Sequence, residues 1–326
     1  MVSHKKHLVP GTLVHEVENG MVQVGSNPKH SVLFSGLSNA EISWLKSLRD
    51  VPFGGGSRQR RASEDLTGRQ EEALRLLGAA GLLDCGEPRM RTLRIRVVGL
   101  NDVGIRIARI LAEIRIKHIE VRDPRFVDSD CELLFPSSAK GQPRERATRE
   151  MIRDISPNTC LGKIAVPDLA IVCSERTIDF GIVGLLLSHD TPHVPVVLDD
   201  RQVTVGPLVV PGQTACALCA ELHSADRIPG LGYFADALRR SGPCRSVSFI
   251  STMAAAAVVN IIDAVAANRF PRPQTTSNSD PEQPSSTSTA PTPLLRVGTE
   301  GITTQYVMPH ADCGCIGLNT ELVRAN

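Results

Sequence analysis

Residues 93–123 read LRIRVVGLNDVGIRIARILAEIRIKHIEVRD, and this stretch decides the fold class. Residues 93–99 and 118–123 have the apolar composition of strands, and residues 102–116 between them have the periodicity of an amphipathic helix. A strand, a helix and a second strand within about 30 residues, with a glycine-containing turn after the first strand, predict a β-α-β unit with parallel strands.

The alternation of helices and strands continues toward the C-terminus. We predict helices at 144–155, 178–188 and 253–267, strands at 169–173 and 194–198, and a closing hairpin at 294–307. Such alternation predicts an α/β fold with a Rossmann-like, doubly wound, mostly parallel sheet. Residues 271–293 are rich in Pro, Ser and Thr, so we expect a disordered insertion there.

The first 86 residues follow another pattern. We predict strands at 12–17, 21–24 and 31–34, a helix that begins at a Ser38–Glu41 capping box, and a second helix at 69–83. The Asn19-Gly20 turn joins the first two strands as a hairpin. The sequence therefore predicts a small winged-helix-like α+β domain at 1–86, followed by the α/β domain at 87–326. DNA is a poor candidate ligand for it, because the second helix carries charges of both signs.

Composition excludes several classes of protein. The 326 residues include 36 Lys and Arg against 35 Asp and Glu, a net charge of +1, whereas nucleic-acid binders usually carry a basic excess. Polar residues interrupt the longest apolar run, 249–267, and the N-terminus has no apolar signal segment. We therefore expect a cytoplasmic protein without a membrane or nucleic-acid partner.

Nine cysteines are the informative part of the composition, since an odd number without an export signal disfavours a disulfide framework. Four of them form two close pairs, Cys216 with Cys219 and Cys313 with Cys315. Two such pairs provide the four thiolates of a structural zinc site, which would clip the C-terminus onto the α/β body and leave no open coordination position. The alternatives are unrelated buried thiols, a redox pair, or a site in which His223 or His310 replaces one thiolate.

The turn after the first strand, Gly99-Leu100-Asn101-Asp102-Val103-Gly104, lies at the position of a nucleotide-binding G-x-G-x-x-G motif. Asn101 replaces the glycine that lets the backbone approach a phosphate. Asp123 ends the second strand, where an acidic residue binds ribose hydroxyls, although an ordinary Asp-Pro turn would explain it equally well.

The chain resembles the ThiF/MoeB family of adenylyltransferases, relatives of the ubiquitin-activating enzymes. The resemblance covers roughly residues 91–318, and the following motifs carry it in order: the glycine turn, Asp123 to Val127, Gly141 with Arg144, residues 206–212, Cys216-x-x-Cys219, the Ala-rich helix, and Cys313-x-Cys315. Within the family the chain is most similar to cyclodehydratase-like, leader-peptide-binding proteins of thiazole/oxazole-modified peptide biosynthesis. Those proteins carry a winged-helix-like peptide-recognition element at the N-terminus.

The resemblance implies that ATP and Mg²⁺ bind at the glycine turn and that a C-terminal carboxylate is activated as an acyl adenylate. Gly99, Gly104 and Asp123 match the family pattern. The following positions depart from it: Asn101, Arg125 in place of the second Asp of Asp-x-Asp-x-Val, residues 131–134 without the triphosphate arginine, Arg144 for the phosphate lysine, and Ser174 or Glu175 for the magnesium aspartate. These losses should reduce adenylylation by orders of magnitude.

Three functional hypotheses remain. The first is a protein that binds a peptide or small-protein tail as the partner of a modification enzyme, with adenylylation reduced or lost. The second is a competent adenylyltransferase that uses Arg144 and Glu175 as catalytic residues. The third, an NAD(P)-dependent oxidoreductase, rests on the turn alone. Cys244 is the best candidate thiol nucleophile, because a following helix and Arg245 would lower its pKa. The alternative is a buried thiol at the entry to that helix, packed under the crossover loop. The resemblance also implies a homodimer.

Overall fold

The computed structural model describes residues 7–9, 11–17, 20–49, 68–84, 89–129, 131–228, 230, 237–238, 241, 244, 248–267 and 291–316. The chain divides into two compact units, Met1–Pro88 and Arg89–Asn326. Most of the predicted disordered insertion lies outside the described residues. Its predicted end at 293 is wrong, because Thr292 and Pro293 already belong to a strand.

The first unit is a small α+β structure. Its described elements are β1 (His7–Leu8), β2 (Val14–Glu16), β3 (Val22–Val24), β4 (Val32–Phe34), α1 (Asn39–Ser47), α2 (Gly68–Ala79) and β5 (Leu83–Asp84). Strands β2, β3 and β4 form an antiparallel sheet in that order, and β1 pairs with β5. The capping box is present, since the Ser38 hydroxyl accepts from the Glu41 amide and the Glu41 carboxylate accepts from the Ser38 amide.

The second predicted helix ends earlier than the sequence pattern indicated. Helix α2 stops at Ala79, and Gly81 takes the left-handed conformation with φ +72°. The Leu82 amide donates to the Leu77 carbonyl, which closes the helix in the manner of a Schellman motif. The prediction that residue 83 is helical is therefore wrong, and Leu83 instead pairs with Leu8.

The second unit contains the α/β elements. They are β6 (Arg94–Val98), α3 (Asp102–Glu113), β7 (His118–Arg122), α4 (Arg144–Ile155), β8 (Leu169–Glu175), α5 (Phe180–Ser188), β9 (His193–Leu198), β10 (Gln202–Val205), α6 (Ala217–Arg227), α7 (Ser248–Ala266), β11 (Thr292–Gly298) and β12 (Gly301–Val307). One seven-stranded sheet runs in the order β12-β11-β10-β9-β8-β6-β7. The predicted Rossmann-like α/β fold is confirmed.

The sheet has a parallel half and an antiparallel half. Strands β7, β6, β8 and β9 pair in parallel, and β9 through β12 pair antiparallel. The chain leaves β6 toward β7 on one side and returns to β8 on the other, so the strand order reverses between β6 and β8. In open α/β sheets this reversal opens a crevice at the carboxyl ends of the strands. We call it the switch-point crevice; Gly99–Asn101, Asp123 and Ser174–Glu175 lie there.

Helix α7 packs as a core helix of the second unit. Among the described helices it is the one long and apolar enough to cross a membrane by length and composition. Its buried residues Ile250, Ala254, Val258 and Ile262 recur every four positions and belong to the main apolar cluster. This face contacts α3 and β10, which gives the apolar composition a structural explanation.

Candidate functional site

Two glycines of the turn are required by the packing of the protein itself. Gly99 has φ +83°, and a Cβ placed there would overlap the carbonyl oxygen of Cys173 on β8. A Cβ at Gly104 would likewise overlap the Gly99 carbonyl oxygen. Both positions therefore need glycine so that α3 and its turn can approach the neighbouring strand closely, whether or not a nucleotide binds.

Asn101 occupies the position of the missing glycine and caps α3. Its Oδ1 accepts from the Gly104 amide at 3.0 Å, and its Nδ2 donates to the Ser174 carbonyl at 3.2 Å. The side chain is buried. Free amides at a helix N-terminus are the usual phosphate ligands. Here the cap already uses the Gly104 amide.

Asp123 lies at the bottom of the switch-point crevice with 3% of its surface exposed. Its Oδ2 accepts from the Leu100 amide at 2.5 Å and from Arg125 Nη2 at 2.8 Å, and its Oδ1 accepts from the Arg125 amide at 2.8 Å. Burial alone would raise the pKa of Asp123. The hydrogen bonds from the Arg125 side chain and the two amides outweigh burial and lower that pKa. Both carboxylate oxygens therefore have protein partners.

Arg125 joins the two acidic residues of the crevice. Its Nη1 donates to Glu175 Oε1 at 2.8 Å, while its Nε and Nη2 contact Asp123. The second oxygen of Glu175 accepts from the Cys244 amide at 2.9 Å. Burial would lower the pKa of Arg125, but hydrogen bonds to Asp123 and Glu175 raise it. The sequence did show a positive charge at a position where the family has an aspartate, but its role in the site was not predicted.

Arg144 lies within the protein rather than on the open side of the crevice. It is 1% exposed, and its Nε and Nη1 donate to the carbonyls of Phe126 and Leu100 at 2.9 and 3.0 Å. Its Nη2 donates to Asp128 at 3.0 Å. The guanidinium thus ties α4 to the glycine turn and to the segment after β7. The roles predicted for Arg144 and Glu175 in catalysis, and for the turn residues in cofactor binding, stay predictions.

Cys244 does not have the environment of a nucleophile. The residue is 3% exposed, and its thiol lies 3.5 Å from Asp200 Oδ1. Burial and the neighbouring Asp200 raise the pKa of this thiol to about 12. A thiol with such a pKa is protonated at neutral pH and is therefore a poor nucleophile. The expectation of a lowered pKa is wrong. The described part of the following helix is Ser248–Ala266, and Arg245 lies outside the described residues.

The four predicted zinc ligands come together in the second unit. Cys216 is the N-cap of α6, Cys219 lies in its first turn, and Cys313 and Cys315 follow β12. Sγ of Cys216 lies 3.8 Å from that of Cys219 and 3.5 Å from that of Cys313, and the Sγ atoms of Cys219 and Cys315 are 3.5 Å apart. All four lie within 4.8 Å of one another. We call these residues the four-cysteine cluster.

This arrangement fits a tetrahedral metal better than the alternatives. With zinc–sulfur bonds of about 2.3 Å, tetrahedral geometry separates the sulfurs by about 3.8 Å, close to the observed spacing. Hydrogen bonds from the thiols of Cys216 and Cys315, and from the His310 amide, lower the pKa of Cys219. Four of the described cysteine thiols converge on one another, and a redox pair of two thiols does not explain a group of four.

The two histidines considered as substitute ligands have other partners. His223 Nε2 lies 3.0 Å from the Met308 carbonyl, and His310 Nε2 lies 2.9 Å from Asp226 Oδ2. His310 Nδ1 accepts from the Asp312 amide, so Nε2 carries a proton toward Asp226. This pair is therefore held by hydrogen bonds, and the four sulfurs form the more suitable ligand set.

Solved structures with the same fold include those of MccB and PaaA. MccB from Escherichia coli matches with a TM-score of 0.59 at 12% identity, over 96% of this chain and 96% of that chain. The microcin C7 biosynthetic enzyme MccB in complex with N-formylated MccA matches with a TM-score of 0.55 at 13% identity, over 96% and 99%. PaaA matches with a TM-score of 0.51 at 13% identity, over 91% and 98%. No family model matches the sequence, and the comparison with curated proteins gives no match. The chain therefore shares the fold of MccB, in agreement with the α/β fold that the sequence predicted.

Proposed function

We propose that this protein binds a peptide or small-protein tail and serves as the partner of a modification enzyme, with ATP-dependent adenylylation reduced or lost. The observation that carries the proposal is the state of Asp123. Its two oxygens accept hydrogen bonds from Leu100 and Arg125, so a ribose would have to displace protein donors. Asn101 supports the same conclusion, because it takes one amide of α3.

The N-terminal unit offers a suitable peptide site. A cavity of about 230 Å³ lies beside β4 and between α1 and α2, lined by Phe34, Leu37, Trp44, Leu45 and Leu76 among others. Strand β4 is the last of its three-stranded sheet, and Leu33 on it is 61% exposed. An extended peptide could add a strand along β4 and place an apolar side chain in the cavity. MccB, which shares the fold, has been solved with MccA.

The remaining expectations belong to the same proposal. Zinc is the metal that four thiolates at this spacing favour, and it would hold the segment after β12 against α6. A homodimer is supported by α5, in which Phe180 and Leu185 are 38% and 60% exposed although the helix FGIVGLLLS contains no charged residue. We place the protein in the cytoplasm, without nucleic acid or membrane.

The single tryptophan provides the test. Trp44 lines the cavity, so a peptide that binds there should change its fluorescence as the full-length protein is titrated with peptides encoded near its gene. Leu76→Ala removes a lining side chain and should weaken binding about tenfold, equivalent to about 1.4 kcal/mol. Arg75→Ala, one position away and outside the lining, is the matched control. Equal affinities for the two variants would place the peptide elsewhere.

A further inference from the structure

We propose that Arg125 is a plug that blocks a nucleoside pocket at Asp123, so that one substitution opens this pocket. The inference rests on the proposed function, because it explains why the ribose of a nucleotide would bind weakly at Asp123. It goes further by stating that the loss is reversible. The pocket would take the ribose of an adenine nucleoside at Asp123.

The exposed fractions of the three charged side chains indicate that Arg125 lies closer to the solvent than the two carboxylates do. The side chain of Arg125 is 40% exposed, whereas those of Asp123 and Glu175 are 1% and 16% exposed. The guanidinium is therefore the most exposed of the three charged groups, whereas the Asp123 carboxylate is almost fully buried. A ligand that approached from the carboxyl ends of β6 and β8 would meet Arg125 first.

One polar side chain next to Glu175, that of Ser174, remains available to a ligand. The Ser174 hydroxyl is buried and has no hydrogen-bond partner among the described residues. Ser174 lies near the end of β8 next to Glu175, and its carbonyl accepts from Asn101 at the start of α3. A buried hydroxyl without a partner costs free energy, and in a native protein it often marks the position of a water or ligand. Ser174 thus provides an observation independent of the ion pairs.

If Arg125 bound the phosphates of ATP instead of blocking the pocket, its removal would change ATP affinity in the opposite direction. An arginine that bound phosphate would increase ATP affinity, so its removal would weaken ATP binding. A plug must be displaced before a ligand enters, so its removal strengthens binding. Adenosine is the best probe because it has a ribose but no charge, and loss of an arginine does not change its long-range attraction to the protein.

The experiment is calorimetric titration of the full-length, metal-loaded protein with adenosine, and then with ATP. We expect Arg125→Ser to bind adenosine at least about tenfold more tightly than the unmodified protein. Arg122→Ser is the matched control. Arg122 is the last residue of β7, the strand that precedes Arg125; its side chain is similarly exposed, and it pairs with Glu120 rather than with Asp123. This variant should leave the affinity unchanged.

Arg125→Gln serves as a second variant, since it keeps a hydrogen-bond donor and perturbs the buried carboxylates less if Arg125→Ser does not fold. The plug is overturned if neither folded variant binds adenosine more tightly than the unmodified protein, or if both bind ATP more weakly. These results are separate from those for the proposed function, which concerns peptide binding and adenylylation by the unmodified chain.

Discussion

The four-cysteine cluster and the switch-point crevice both gather reactive side chains, but they differ in how those side chains are satisfied. In the cluster, four sulfurs converge on one another, an arrangement that a single metal ion would complete. In the crevice, Asp123, Arg125 and Glu175 complete one another with ion pairs and amide hydrogen bonds. The converging sulfurs of the cluster indicate a site ready to bind an ion. The paired charges of the crevice indicate a site whose ion pairs must break before a ligand binds.

The cluster should show the largest effect. Replacing Cys313 and Cys315 together by Ser should abolish metal binding and release the segment after β12 from α6. We expect a loss on the order of 5 kcal/mol, smaller than in isolated zinc domains because the unit has its own core. The melting temperature should fall by about 10–20 °C.

Metal content and thermal unfolding measure this effect. Cys160→Ser is the control, because Cys160 is an exposed cysteine outside the cluster. If the double variant keeps both its metal and its melting temperature, the cluster is not a metal site and the contrast with the crevice disappears.

Arg144 should show the next largest effect, on stability. Arg144→Ala removes the donor to the buried Leu100 carbonyl and to the partly buried Phe126 carbonyl and should cost about 3–5 kcal/mol. Arg146→Ala, on the same helix with a 70% exposed side chain, should change the free energy of unfolding by less than about 0.5 kcal/mol. Urea unfolding measures both. Similar changes in the free energy of unfolding for the two variants would show that the hydrogen bonds of Arg144 do not stabilise the fold as its contacts indicate.

Asp123 should show a smaller, pH-dependent effect. Its pKa is lowered in the folded protein, so its stabilisation is present above the ordinary value of 3.8 and is lost as the pH falls through the folded value. Asp123→Asn should therefore lower the free energy of unfolding at pH 7 by about 1–3 kcal/mol, with a smaller difference at pH 3.

Urea unfolding at the two pH values tests this sign. The exposed Asp154→Asn is the control and should change little at either pH. A difference between Asp123→Asn and the unmodified protein that grows toward low pH would contradict the ion-pair network of the crevice.

The sequence predicted the fold well where periodicity and spacing are local. The β-α-β unit, α4 and the closing hairpin were predicted because each has a clear apolar pattern, and the cysteines because their pairs are close in sequence. Strand β10, Gln202–Val205, was not predicted from the sequence. The end of α2 was misplaced because the pairing of Leu83 with Leu8 is a tertiary contact.

The crevice was harder to predict because its state depends on side-chain partners. Motif spacing singled out Gly99, Asp123 and Glu175, and the structure places all three at the switch-point crevice. The spacing could not show that Arg125 pairs with the two carboxylates, or that Arg144 points into the protein toward Leu100. The raised pKa of Cys244 likewise follows from burial beside Asp200, a residue 44 positions away in the chain.

ATP–pyrophosphate exchange by the unmodified, metal-loaded protein tests the central claim most directly. The assay should be run with MgATP and with a peptide that alters Trp44 fluorescence, so that the peptide site is known to be filled. We predict no exchange above the rate without protein, because the crevice is closed by its own ion pairs. Peptide-dependent exchange at the rate of a competent adenylyltransferase would contradict this account.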